Sequence, residues 1–220
     1  NDLLMNYHTF KQKLQKSGVY HTKKSACGTI LQQYFGKIDW LFYIRALSTL
    51  FHAYVMYMLS KDSKKAWTQG SYNLLRLYEA CGAQINISGA SNLTHTSGPV
   101  VLVSNHMSCA ETVLLPCLVL SFGNLAIVVK KSLLQYPIVG PLLKGGEVIA
   151  VSRSSPRKDL RVILNEGRKA LQNGYSILLF PQSTRNQKFI GAHFNSLGAK
   201  LAEKAHVPIV PVAIKTDFHG

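Results

Sequence analysis

Apolar and polar positions along this 220-residue chain change rhythm near Gln84. Before it, apolar residues recur with helical spacing. Leu3, Tyr7, Phe10 and Leu14 follow one another by about a turn, with Lys11, Lys13 and Lys16 around them. Residues 17–28 form a polar, Gly- and Ser-containing break. The stretch from Ile38 to Leu59 is the most apolar of the chain, and its Arg45, Ser48, Thr49 and His52 fall on one narrow polar stripe of a helix. Residues 63–81 read as a further helix, with Trp67, Ser71, Leu74, Leu75 and Tyr78 on one face and Gly82 as its stop. After Gln84, short β-rich runs take over: Val100–Val103, Leu125–Val129, Val148–Val151, Ser176–Phe180 and Ile209–Ile214. Helical periods lie between the later ones, one carrying Leu160, Ile163, Leu164, Gly167 and Leu171, another Leu197, Leu201, Ala202 and Ala205. Such alternation predicts an α/β fold with a mostly parallel central sheet flanked by helices. Pro116 predicts a short helix after Glu111 that restarts with the proline at its first position. The expected division is a helical segment over 1–82 and an α/β domain over 83–220.

The greasy 38–59 stretch carries Arg45 and His52 in its middle, which a lone membrane-spanning helix does not tolerate well. A helix lying in the membrane interface, or packed by its stripe on a partner helix, accommodates them. Lys61, Lys64 and Lys65 follow at once, placed to meet anionic headgroups. The expectation is therefore a membrane-contacting N-terminal segment, with a core helix of a soluble bundle as the plainer alternative.

Charge narrows the partners. The net charge is +15 and the isoelectric point about 9.8, so anionic partners are expected. No zinc-finger, homeodomain or RNP-like signature is present, and no basic stripe is interleaved with aromatics, which argues against nucleic acid. Instead, Lys130, Lys131, Arg153 and Arg185 fall at the ends of predicted strands, where α/β sheets place ligands. The four cysteines form no C-x-x-C pair, and neither they nor the histidines show metal-ligand spacing, so no metal and a reducing compartment are expected.

Candidate chemistry begins where the first strand of the α/β part ends, in Asn105-His106-Met107-Ser108-Cys109-Ala110-Glu111. A carboxylate that accepts the Nδ1 proton of an imidazole fixes its tautomer and leaves Nε2 free as a base. On one continuous helix the two side chains would point about 140° apart, so the pair requires His106 in the loop and Glu111 in the first helical turn. The same residues have the form of a capping box, in which Glu111 reaches back to the Ser108 amide. Cys109 adds a thiol beside the histidine, more in keeping with filler than with a nucleophile.

Three further pieces follow in order. Gly146 to Arg153 is a strand delivering an arginine; Phe180-Pro181-Gln182-Ser183-Thr184-Arg185 is a strand ending in a proline turn and an arginine; Val207-Pro208-Ile209-Val210-Pro211 is a strand opened by proline. Together with His106…Glu111, this resembles the glycerolipid acyltransferase family of the 1-acylglycerol-3-phosphate acyltransferase type, whose pattern is N-H-x-x-x-x-D, G-x-x-x-x-x-x-R, F-P-E-G-T-R and V-P-x-x-P. Lys130-Lys131-Ser132-Leu133 and Tyr136-Pro137-Ile138-Val139-Gly140 resemble its K-x-x-L…P-x-x-G segment. The resemblance covers roughly residues 85–214. This chain departs from the pattern with Glu111 for Asp, Gln182 for Glu and Ser183 for Gly.

The resemblance implies acyl transfer from an acyl thioester, acyl-CoA or acyl carrier protein, to the hydroxyl of a lysophosphatidate-like glycerolipid at the cytoplasmic face of a membrane. No cofactor is implied beyond that donor. His106 would be the general base and Glu111 its orienting carboxylate, with backbone amides near the following helix start as oxyanion donors. Lys130, Arg153, Gln182, Ser183, Thr184 and Arg185 would bind substrate, the basic residues holding phosphate. The departures leave room for a weakly active or inactive lipid-binding relative, or for a different acceptor lipid.

Overall fold

A computed structural model describes residues 5–22, 39–182, 184–186, 188 and 190–217. Ser183, in the third motif, and Leu3, Cys27 and Ile38 lie outside the described residues. The chain forms two compact units, residues 1–95 with 113–122, and residues 96–112 with 123–220.

The first unit is helical. α1 (Tyr7–Ser17) starts where Asn6 accepts the Thr9 amide and stops at Gly18, whose φ of 66° closes the last turn. β1 (Tyr20–His21) leads on, and α2 (Asp39–Ser60) and α3 (Ser63–Ala80) pack on each other. β2 (Asn86–Ile87) pairs antiparallel with β1. Phe10, Leu14, Tyr20, Tyr72, Leu75 and Cys117 form the core of this unit. The buried Glu79 carboxylate is fully bonded there: it accepts from Tyr20, Thr22 and Arg76. α2 buries Phe42 and Ala53 and leaves Trp40, Tyr43, Ile44, Leu47 and Phe51 more than half exposed. Among the described residues, no helix is long and apolar enough to cross a membrane.

α4 (Ala110–Val119) differs from the expected restart: it is one continuous helix with Pro116 inside it. The cause is Ser71. Its hydroxyl accepts from the Cys117 amide at 2.9 Å and donates to the Val113 carbonyl at 2.6 Å. A side-chain oxygen thus bridges the 117-to-113 step that the proline ring disturbs.

The second unit is built on a five-stranded, wholly parallel sheet. Its elements are β3 (Val101–Ser104), β4 (Asn124–Lys130), α5 (Val139–Gly145), β5 (Glu147–Val151), α6 (Pro156–Gln172), β6 (Tyr175–Leu179), α7 (Leu197–Ala205) and β7 (Ile209–Val212). All five expected strands form, in the order β5-β4-β6-β3-β7. Val101 and Leu102 point to opposite faces of β3 and both are buried, the mark of a central parallel strand covered on both sides. α6 and α7 share one apolar core with the sheet through Ile163, Ala170, Leu171, Leu201 and Ala202. Gly198 lets α7 lie close on β3, since a Cβ there would meet Val103 at 2.6 Å. The order places β6 directly beside β3, so two loops distant in sequence leave the same edge side by side.

Candidate active site

β3 delivers its last residues to the carboxyl edge of the sheet, where ligands of such sheets bind. Asn105 anchors that end: its side-chain amide donates to the Ile214 carbonyl and accepts the Ile214 amide, both at 2.7 Å, so it acts as a piece of backbone beyond β7. His106 follows in the loop and Glu111 stands in the first turn of α4, as the pairing required.

The pair forms. His106 Nδ1 lies 2.9 Å from Glu111 Oε1. The same oxygen accepts the amides of Met107 at 2.6 Å and Ser108 at 2.7 Å, and Oε2 accepts the Ser108 hydroxyl at 2.6 Å. Burial raises the carboxyl's pKa, but the hydrogen bonds from His106 and Ser108 outweigh it and hold the group down at about 2. Glu111 is therefore ionised and can only accept, which puts the imidazole proton on Nδ1 and leaves Nε2 as the basic nitrogen. Nε2 makes no hydrogen bond within the described residues. The ring rests on Phe180, with centroids 4.5 Å apart. Both readings of Ser108…Glu111 hold at once: Glu111 closes the helix start on the Ser108 amide and also bonds the imidazole.

The loop after β6 meets this residue from the other side. The His106 amide donates to Gln182 Oε1 at 2.7 Å, and the Asn186 amide donates to the His106 carbonyl at 2.9 Å. Arg185 is exposed and its guanidinium donates to Cys109 Sγ, beside the start of α4. Thr184 is exposed and its amide donates to the Gln182 carbonyl. The structure thus joins His106, Glu111, Gln182 and Arg185.

Lys130 and Arg153 leave the same edge farther out. β4 is two strand intervals from β3 and β5 three, or about 10 and 14 Å at the usual spacing. Both side chains are exposed. Arg153 has φ of 60°, and its amide with that of Ser152 donates to Asp159 at 2.8 and 2.9 Å. Those bonds, that of Ser152 first, lower the Asp159 carboxyl's pKa despite the opposing effect of desolvation.

The amides expected as oxyanion donors are mostly spent. Those of Met107 and Ser108 go to Glu111 and that of Ala110 to the Ser108 hydroxyl, leaving the Cys109 amide without a partner among the described residues. The sequence pattern includes Asn105 without giving it a role, foresees the Ser108 amide but not its hydroxyl as a partner of Glu111, and passes over Asn186. The first can be found from its place before the histidine; the Asn186 contact depends on strand order and has no local signal. No group of His, Cys, Asp and Glu among the described residues could hold a metal, and Cys81, Cys109 and Cys117 are free thiols.

Comparison with known proteins bears on the same region. The 1-acyl-sn-glycerol-3-phosphate acyltransferase of Pseudomonas aeruginosa is 32% identical over 132 residues, 60% of this chain and 49% of that protein. The chloroplastic enzyme LPAT1 of Arabidopsis thaliana, of the same description, is 30% identical over 131 residues, 60% of this chain and 36% of the relative. The chain spans about half or less of the length of these curated relatives. In fold it is similar to the crystal structure of PlsC, the 1-acyl-sn-glycerophosphate (LPA) acyltransferase of Thermotoga maritima, with a TM-score of 0.55, 21% identity, and coverage of 83% of this chain and 72% of that one. The acyltransferase family model matches residues 84–215, from β2 past β7 and through every motif described above, and on that match the chain belongs to the acyltransferase family.

Proposed function

We propose that this protein moves a fatty acyl group from an acyl thioester to the hydroxyl of a lysophosphatidate-like glycerolipid. The observation that carries the reading is the His106–Glu111 pair, 2.9 Å apart, with Nε2 unengaged. Nε2 takes the proton of the acceptor hydroxyl as its oxygen attacks the thioester carbonyl, and Glu111 stabilises the imidazolium that results. Collapse of the tetrahedral intermediate expels the thiolate, which takes the proton back from the His106 imidazolium, leaves as free thiol and regenerates the base. The thioester is already activated, so neither Cys109 nor a serine need act as nucleophile. The Cys109 amide is the donor left for the developing oxyanion. Arg185 meets the acceptor phosphate with its planar fork, and Lys130 and Arg153 add positive charge from the outer strands. The similarly named relatives support the acceptor class. The donor is acyl-CoA or acyl carrier protein. Release of free thiol, measured across lysolipid acceptors with each donor, tests the reading: it requires turnover that depends on a phosphate-bearing acceptor, and thiol release indifferent to acceptor would refute it.

The first unit supplies the membrane contact in this reading. Trp40, Tyr43, Ile44, Leu47 and Phe51 recur at helical spacing on the exposed side of α2. Lys61, Lys64 and Lys65 stand just beyond, exposed, where they meet headgroups of the cytoplasmic leaflet. Co-sedimentation with anionic vesicles should fall by about tenfold or more when Trp40, Leu47 and Phe51 are changed together to Ser, each loss removing apolar area from the interface. Unchanged co-sedimentation would return α2 to a role in packing alone.

A further inference from the structure

Both backbone groups of His106 are held by one loop. Its N–H donates to Gln182 Oε1 at 2.7 Å, and its C=O accepts the Asn186 amide at 2.9 Å. Gln182 is only 7% exposed. The bond settles which way its carboxamide faces, because only the oxygen can accept from a backbone N–H. Nε2 is consequently turned away, buried, and without a hydrogen-bond partner among the described residues. A buried donor with no acceptor is a liability to the fold. What position 182 contributes is therefore its acceptor oxygen, and that oxygen reaches the peptide of the base. The loop has a separate tether as well: Asn195 donates to the Pro181 carbonyl at 2.6 Å. Losing the Gln182 bond need not release Arg185.

We propose that Gln182 is a positioning residue for His106. Phe180 holds the face of the imidazole and Glu111 holds Nδ1, while Gln182 fixes the backbone from which the ring projects. His106 Nε2 is aimed only when all three act together. This rests on the proposed role of His106 as the base. It accounts for the exchange of Glu for Gln in the third motif, since both side chains offer one oxygen to the His106 amide and differ only in the second atom.

Gln182→Met keeps the length and removes the acceptor. Its turnover should fall by roughly 30- to 100-fold, the usual consequence of a small misplacement of a reacting group, with acceptor KM changed by less than about threefold. Gln182→Glu should recover most of that turnover. Hydrogen exchange at the His106 amide, read by NMR, should speed up at least about tenfold in the Met variant and stay slow in the Glu variant. Normal turnover in Gln182→Met, a KM effect alone, a Glu variant no better than Met, or unchanged exchange would each overturn the proposal. Exchange in the otherwise protected strands β3 and β6 shows whether the Met variant is folded, and a loss of protection throughout would make Gln182 a fold residue and also sink the proposal. His106→Ala in the same assay keeps the two ideas apart. If it is inactive while Gln182→Met is normal, only the positioning role fails; if it is fully active, the base itself is wrong.

Discussion

Two ends of one sheet edge are built differently. Beyond β3 and β6, half-buried His106 and buried Glu111, Ser108 and Gln182 form a bonded lattice, in which the His106–Gln182 bond crosses 76 residues of sequence. Beyond β5, the loop carrying Arg153 is exposed, and its bonds reach only seven residues on, to Asp159. A proton transfer needs its nitrogen aimed, and buried charge-assisted bonds supply the aim. Phosphate recognition by a long cation needs reach more than aim, and an exposed arm supplies that. In the proposed reaction, damage to the bonded lattice around His106 should therefore appear in turnover, and damage to the exposed cations, Arg185 among them, in acceptor affinity.

The sharpest break is His106→Ala, which should lower kcat by about 1,000-fold at unchanged far-ultraviolet circular dichroism, within the range for loss of a general base. Arg185→Ala comes next. It should raise the acceptor KM by about 10- to 100-fold with the donor KM nearly constant, as expected for a charged hydrogen-bond partner, and Arg185→Lys should rescue it only in part. Arg153→Ala and Lys130→Ala should raise the acceptor KM by only about two- to fivefold, the scale of an exposed charge contact. Equal effects at Arg185 and Arg153 would mean that nearness to His106 does not grade these cations.

Folding lowers the Glu111 carboxyl from 4.5 to about 2. Its ionised form is thus favoured by the fold, and the stability it contributes is complete above pH about 4.5 and disappears as pH falls toward about 2. The contribution at stake is of order 3 kcal/mol. Denaturant midpoints between pH 5 and 2 should decline in the wild type and decline less steeply in Glu111→Gln. Parallel declines would mean that Glu111 is not the group responsible.

Much of this architecture is legible in the amino-acid sequence. The five strands follow from short apolar runs, and the spacing from His106 to Glu111 suits a loop-then-helix geometry that is present. Two features are not legible there. Pro116 suggests a break in α4, but a hydroxyl from Ser71, 46 residues away, bridges the disturbed step. The clamp on His106 depends on β6 lying beside β3, and apolar runs do not say which strands are neighbours. Local pattern encodes elements; the pairing of Gln182 and Asn186 with His106 is encoded by topology.

The proposed mechanism turns on Glu111, because one carboxylate both closes a helix and bonds the imidazole of His106. The deciding measurement is kcat for acyl transfer by Glu111→Gln, taken well below the variant's own melting temperature so that lost stability does not masquerade as lost chemistry. An orienting carboxylate predicts a fall of about 100-fold or more in a folded protein. Full turnover with only a lowered melting temperature would make Glu111 a helix cap and nothing more.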